Sequence, residues 1–244
     1  MTATVEPTYT VPVSPRRQPL PDLTPRVGLY RGMKFIFRDL FRLTLDLKVE
    51  HADVVPSTGP VLLAANHRSF LDAPLVTVLI GRPASFLAKS ELFKGPATHL
   101  LMWLGQIPIA RGRVDRDALR RATAVLQRGE VLGLFPEGSR GAGEMAQVQH
   151  GIAYLALRCP GVPIVPIAVI GTDHAMPMGS KWPRWRSTVH VVFGEPFTVP
   201  VPPNPRSRGA IAKAAEEIRL ALAAHVAHAE AVLSRTEAEQ RTPR

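Results

Sequence analysis

The run Val61-Leu62-Leu63-Ala64-Ala65 is apolar at every position and stops abruptly at Asn66-His67-Arg68-Ser69-Phe70-Leu71-Asp72. A short strand without polar alternation belongs inside a sheet covered on both faces, which in practice means a parallel sheet layered with helices. The pattern recurs. Gln106–Ala110 ends at Arg111, Leu132–Leu134 runs into Phe135-Pro136-Glu137-Gly138-Ser139-Arg140, and Pro163–Ile170 is again apolar throughout. Each strand-like run therefore delivers polar residues to its carboxyl end, the rim where open α/β sheets hold ligands.

Helical patterns fill the intervals. Ala73–Ile80, Gly95–Leu104, Arg116–Arg128 and Gln149–Arg158 read as helices, the third with Asp115 as N-cap and Gly129 just past its end. Ala84–Ala88 and Val189–Phe193 read as further strands, and Lys48–Val55 and Pro60–Ala65 as strands around a Pro-Ser-Thr-Gly connection. Pro200–Pro205 breaks the chain before a last helix over Ser207–Leu233. This alternation predicts an α/β domain with a central, mixed but largely parallel sheet flanked by helices. The expected organisation is a proline-rich disordered tail over residues 1–25, one domain over 26–233, and a second tail over 234–244.

His67 and Asp72 stand five residues apart, a rotation of about 140° past a full turn on a helix of 3.6 residues per turn, so they cannot share a helix face. With His67 in the turn and Asp72 in the first helical turn, the carboxylate would bond one ring nitrogen, fix the tautomer and support the imidazolium. Ser69 and Asp72 also fit a capping pattern in which the carboxylate serves only backbone N–H groups. No Ser or Cys stands in a nucleophile-elbow pattern, so an acceptor hydroxyl from the substrate takes that part. Arg140 and Arg111, with backbone N–H groups freed by Gly138, suit a phosphate monoester.

These segments together resemble the glycerolipid acyltransferase family, which includes the 1-acyl-sn-glycerol-3-phosphate acyltransferases. NHRSFLD (Asn66–Asp72) is similar to its N-H-x-x-x-x-D block, GQIPIAR (Gly105–Arg111) to its second block, FPEGSR (Phe135–Arg140) to F-P-E-G-T-R, and VPIVPIAVIGT (Val162–Thr172) to its proline-bearing strand. The resemblance spans about Leu29–Phe197, and Ser139 replaces the usual Thr while keeping its hydroxyl. It implies a glycerol-3-phosphate acyltransferase-like fold. It further implies transfer of an acyl group from acyl-CoA or acyl-carrier protein to 1-acyl-glycerol-3-phosphate, or to another lysophospholipid, a lyso-ornithine lipid or a glycolipid; the alternative outside enzymes is a non-catalytic, lipid-binding membrane protein, against which His67, Asp72 and Arg140 argue. In that reading His67 is the base and Asp72 orients it, while Arg111, Glu137, Gly138, Ser139 and Arg140 hold the acceptor and Lys89 reaches phosphate or donor. No cofactor is implied beyond the thioester co-substrate.

Composition narrows the partners. The net charge of +10 calls for an anionic one, but the arginines from Arg111 to Arg128 lack interleaved aromatics, which argues against nucleic acid, and Arg113, Arg116, Arg120 and Arg121 read as a solvated helix face. Among eight histidines, His225 and His228 share a helix face without ligand partners of recognisable spacing, so no metal is expected. The single Cys159 excludes an intrachain disulfide. Leu29–Leu47 reads as an amphipathic helix: Met33, Ile36, Leu40, Leu43 and Leu47 on one side, Arg31, Lys34, Arg38 and Arg42 on the other. Charges at every turn keep it from spanning a bilayer, so it is expected to lie in an anionic interface, with Phe37 and Leu40 entering the lipid. That predicts a peripheral or monotopic protein on the cytoplasmic face of the cell membrane. Trp182 and Trp185, among Lys181, Arg184 and Arg186, form a second candidate interfacial patch.

Overall fold

A computed structural model describes residues 24–110, 114–138, 144–180 and 182–241. The sequence-read tail is thus outside the described residues for 1–23 and 242–244, as are Arg111, Gly112, Arg113, Ser139, Arg140 and Lys181.

Seven α-helices and seven β-strands follow in chain order among the described residues. They are α1 (Val27–Thr44), β1 (Leu45–Glu50), β2 (Val61–Ala65), α2 (Asp72–Leu79), β3 (Ala84–Lys89), α3 (Pro96–Trp103), β4 (Ile107–Ile109) and α4 (Arg116–Gln127). After these come β5 (Val131–Leu134), α5 (His150–Arg158), β6 (Ile164–Ile170), α6 (Thr172–Ala175), β7 (Ser187–Phe193) and α7 (Arg208–Arg241). The strands form one sheet in the order β1-β7-β6-β2-β5-β3-β4. Every neighbouring pair is parallel except β6 and β7. The mixed, largely parallel sheet read from the sequence is therefore observed.

The apolar runs behave as their composition demands. In β2, Val61, Leu63 and Ala65 turn to one face and Leu62 and Ala64 to the other, as the two-residue period of a strand requires. On the first face they pack with Phe41 of α1 and Leu75 and Val76 of α2. On the second they meet Ala122 and Leu126 of α4, Ile152 and Leu155 of α5, and Ile218 and Leu222 of α7. Asp115 caps α4 as expected, accepting from the N–H groups of Asp117 at 3.1 Å and Ala118 at 3.0 Å.

Three local readings differ. The helix assigned to Leu29–Leu47 ends at Thr44, and the strand assigned to Lys48–Val55 is Leu45–Glu50. Leu43 and Leu47 fit the helical stripe while Leu43, Leu45 and Leu47 also alternate as in a strand, and pairing with β7, from Leu45 opposite Ser187 to Glu50 opposite Val192, decides it. For the same reason β1 and β2 do not form a hairpin; β7 and β6 lie between them. The last helix continues from the expected Leu233 to Arg241, because residues 234–241 contain neither Gly nor Pro.

The faces of α1 also need correction. Phe37 lies against Phe41, with ring centroids 5.9 Å apart and planes tilted by 32°, and packs against the core instead of facing lipid. Lys34 does not stand on a free basic face: its ammonium donates to the carbonyl of Ile80 at the end of α2, where a cation is favoured. Burial, with Arg38 nearby, pushes its pKa down. Tyr30 completes the docking, donating to Thr77 O at 3.2 Å and accepting from Ala84 N–H at 3.2 Å; burial pushes its pKa up to about 12. The outward apolar stripe is Ile36, Leu40 and Leu43, all exposed.

Candidate active site

Five strands, β6, β2, β5, β3 and β4, run the same way, so the turns after β2, β3, β4 and β5 open on one rim. His67 follows β2, Lys89 ends β3, Glu137 and Gly138 follow β5, and Arg111 succeeds β4 in the chain. The rim is where the sequence reading puts the site.

Asn66 makes the turn after β2 rigid. Its backbone N–H reaches Ile167 O at 3.4 Å, its amide nitrogen donates to Val169 O at 3.0 Å, and its amide oxygen accepts from Val169 N–H at 2.7 Å. A side-chain amide thus imitates a peptide and prolongs the β2–β6 ladder past the end of the strand. Asn66 is fully buried, and the next residue leaves the sheet at a fixed point.

That residue is His67, only 8% exposed. Its Nδ1 lies 2.9 Å from Oδ2 of the buried Asp72. An ionised carboxylate only accepts, so Nδ1 carries the proton and Nε2 is left as the basic nitrogen. No described residue bonds Nε2. The same Oδ2 accepts from Arg68 N–H at 2.7 Å and Ser69 N–H at 2.8 Å. Both readings of Asp72 are therefore realised at one oxygen, which orders the turn and orients the imidazole.

The imidazole rests on Phe135, with centroids 4.1 Å apart and planes at 21°, and Phe135 rests on Phe86 at 5.8 Å. The series of rings depends on Gly133, where an added Cβ would lie 2.3 Å from the Phe86 ring. Sequence reading missed Asn66, Phe135 and Gly133 as positioning groups. It also missed the ion pair of Arg68 with Glu230 on α7, which ties the turn to the far end of the chain.

Glu137 enters from the next strand. Its Oε1 accepts the N–H of His67 at 3.3 Å, and burial pushes its carboxyl above the usual range against that bond and the nearby His67 and Arg68. Gly138 turns the chain with φ of +74° and donates to Phe135 O at 3.0 Å. Lys89, two strands from β2, is exposed and pairs with Glu91 at 3.4 Å rather than with any residue of the His67 turn. Among the described residues no group of three or more His, Cys, Asp and Glu is placed to hold a metal.

Because burial raises the folded-state pKa of Glu137, its ionised form opposes folding, and that penalty vanishes as pH falls and the carboxyl protonates. Glu137→Gln keeps an acceptor oxygen for His67 N–H without the charge. Its melting temperature should exceed that of the parent at neutral pH, with the gap closing below the usual carboxylate range. An equal offset at pH 3 and pH 8 would contradict this assignment.

The Acyltransferase family matches residues 46–170, from β1 to the end of β6 and including His67, Asp72 and Glu137. The chain belongs to this family. The chloroplastic 1-acyl-sn-glycerol-3-phosphate acyltransferase of Arabidopsis thaliana is 31% identical over 157 residues, 62% of this chain and 43% of that protein. The lyso-ornithine lipid O-acyltransferase of Pseudomonas aeruginosa is 32% identical over 184 residues, 67% of this chain and 68% of that one. The crystal structure of the 1-acyl-sn-glycerophosphate acyltransferase of Thermotoga maritima superposes with a TM-score of 0.63 at 27% identity, covering 83% of this chain and 80% of the other. The chain spans less than half the length of the Arabidopsis relative and of its Brassica napus counterpart, of which it covers 44%. The acyltransferase fold is thus observed.

Proposed function

We propose that the protein acylates the free sn-2 hydroxyl of 1-acyl-glycerol-3-phosphate from a thioester, acyl-CoA or acyl-carrier protein, giving phosphatidic acid. The observation that supports this most is the dyad: Nδ1–H of His67 on Asp72 with Nε2 unpartnered among the described residues. Nε2 takes the hydroxyl proton as the oxygen attacks the thioester carbonyl; the C–O bond forms, the C–S bond breaks, and the imidazolium returns the proton to the departing thiolate. Asp72 supports the imidazolium in between. No acyl-enzyme is needed, and no cofactor beyond the co-substrate.

In this reading Arg111 and Arg140, which lie outside the described residues, hold the phosphate with Gly138 and Ser139, and Lys89 guides phosphate or donor along the rim. Glu137 contributes through its bond to the His67 backbone. The test is purified protein with a panel of lysolipids and both donors. Arg140→Ala should raise the KM for a phosphate acceptor roughly ten- to a hundredfold, since bonds to charged groups are worth about 1.5–3 kcal/mol. An unchanged KM would move the phosphate elsewhere.

A second reading, acylation of a lyso-ornithine lipid, is favoured by the Pseudomonas relative, of which the chain covers 68%. Preference for that acceptor in the panel, with KM indifferent to Arg140→Ala, would decide for it.

Among the described residues no helix is long and apolar enough to cross a membrane. The proposed placement is peripheral or monotopic on the cytoplasmic face of the membrane, with α1 in the interface and Arg31, Arg38 and Arg42 meeting anionic headgroups. Ile36→Asp with Leu40→Asp, both outward, should weaken flotation of the folded protein with anionic vesicles, and high salt should weaken it for the parent. A folded double variant that floats equally well would contradict the placement.

A further inference from the structure

The segment between α6 and β7 holds its largest side chains in water. Met178 is 72% exposed, Trp182 80% and Trp185 64%. The backbone beneath them is well bonded. Arg184 N–H closes on Ala175 O at 2.7 Å, Ser180 N–H on Pro177 O at 3.0 Å, and the Ser180 hydroxyl on Trp182 O at 2.7 Å. Arg186, at φ of +54°, occupies the left-handed region, which is unfavourable for a residue with a side chain. A hydrogen-bonded segment that holds two indoles and a thioether outward presents an apolar surface to something beyond the chain.

Charge narrows the occupant. No carboxylate occurs from residue 174 to 194, while Lys181, Arg184 and Arg186 do. Arg184 and Arg186 are exposed, and neither makes an ion pair among the described residues. Arg186 also acts on Asp46 of β1, whose pKa is lowered first by its bond to Lys48 and only lastly by Arg186. Indoles with an amphipathic ring beside long basic side chains suit the headgroup layer of an anionic bilayer.

Two bonds connect this loop to the rest of the molecule. At its start, Ser69 of the His67 turn donates its hydroxyl to Met176 O at 3.0 Å, and Ser69 N–H is held by Asp72. At its end, Arg186 N–H donates to Thr44 O at 2.6 Å, next to the exposed Leu43 of α1. The loop is thus fixed to the turn that carries His67 and to the end of the outward stripe of α1.

We infer that the loop from Met176 to Arg186 is a docking element for an anionic bilayer, which seats the His67 turn at the lipid surface so that an acceptor embedded there reaches Nε2. Transfer to a bilayer-borne acceptor then depends on Trp182 and Trp185, whereas transfer to a monomeric short-chain acceptor in solution does not.

Two measurements test it. The chain has three tryptophans, and Trp103→Phe leaves Trp182 and Trp185 as the fluorophores. With vesicles of phosphatidylcholine and phosphatidylglycerol brominated on the acyl chains, emission should shift to the blue and be quenched. Unquenched emission, or a shift that follows protein concentration alone and so marks a contact between copies, overturns the proposal. In the second, Trp182→Ser with Trp185→Ser should lower transfer to vesicle-borne acceptor at least about tenfold, equivalent to about 1.4 kcal/mol of docking free energy. Transfer to the soluble acceptor should be unchanged. Equal losses with both acceptors, or none with either, overturn it. The second measurement rests on the proposed acyl transfer; the quenching does not, so failure of that reading would leave the docking result standing.

Discussion

Changing Asp72 to alanine is expected to lower turnover and stability together, whereas asparagine lowers turnover with little effect on stability. One carboxylate oxygen accepts from His67 Nδ1, Arg68 N–H and Ser69 N–H within a buried turn. Alanine leaves those donors without their acceptor, at about 1–3 kcal/mol for each that stays buried. The two backbone N–H groups alone imply a loss of at least about 2 kcal/mol, and a fall of several degrees in melting temperature for a domain of this size. Asparagine offers an oxygen in the same place but no charge to support an imidazolium. Thermal unfolding followed beside steady-state turnover separates the effects. If alanine melted with the parent, Asp72 would not be the hub of the turn; if asparagine turned over normally, its charge would have no part in the chemistry.

What could be read in the sequence follows from the range of the forces involved. β2 and β5 were legible because a strand buried on both faces must be apolar throughout, and their own residues state that. The His67–Asp72 pair was legible because a spacing incompatible with one helix face, at the end of such a strand, forces a turn-to-helix geometry. The placement of β1 was not. Its partner β7 begins at Ser187, and a parallel pairing across so long a separation leaves no local trace. In α1, Phe35, Ile36 and Phe37 are consecutive and apolar, and only the position of α2 decides that Phe37 turns inward. Asn66, Phe135 and Gly133 were visible inside motifs or strands without their purpose. Their roles depend on contacts with Val169, His67 and Phe86 that form only when separate strands meet. The bond of Arg68 to Glu230 spans most of the domain and has no sequence signature.

The largest effect on chemistry is expected at His67. Alanine removes the basic nitrogen while Asn66 continues to anchor the turn through Val169, and Asp72 keeps its two backbone donors. The stack on Phe135 is lost, so stability should fall modestly while near-UV circular dichroism and cooperative melting persist. General-base catalysis contributes typically about 10²–10⁴-fold, and the loss should be at least of that order. The most direct measurement is turnover of folded His67→Ala protein with a thioester donor and 1-acyl-glycerol-3-phosphate. Turnover reduced by at least about 10²-fold is the expected result, and turnover near that of the parent would contradict the assignment of His67 as the base.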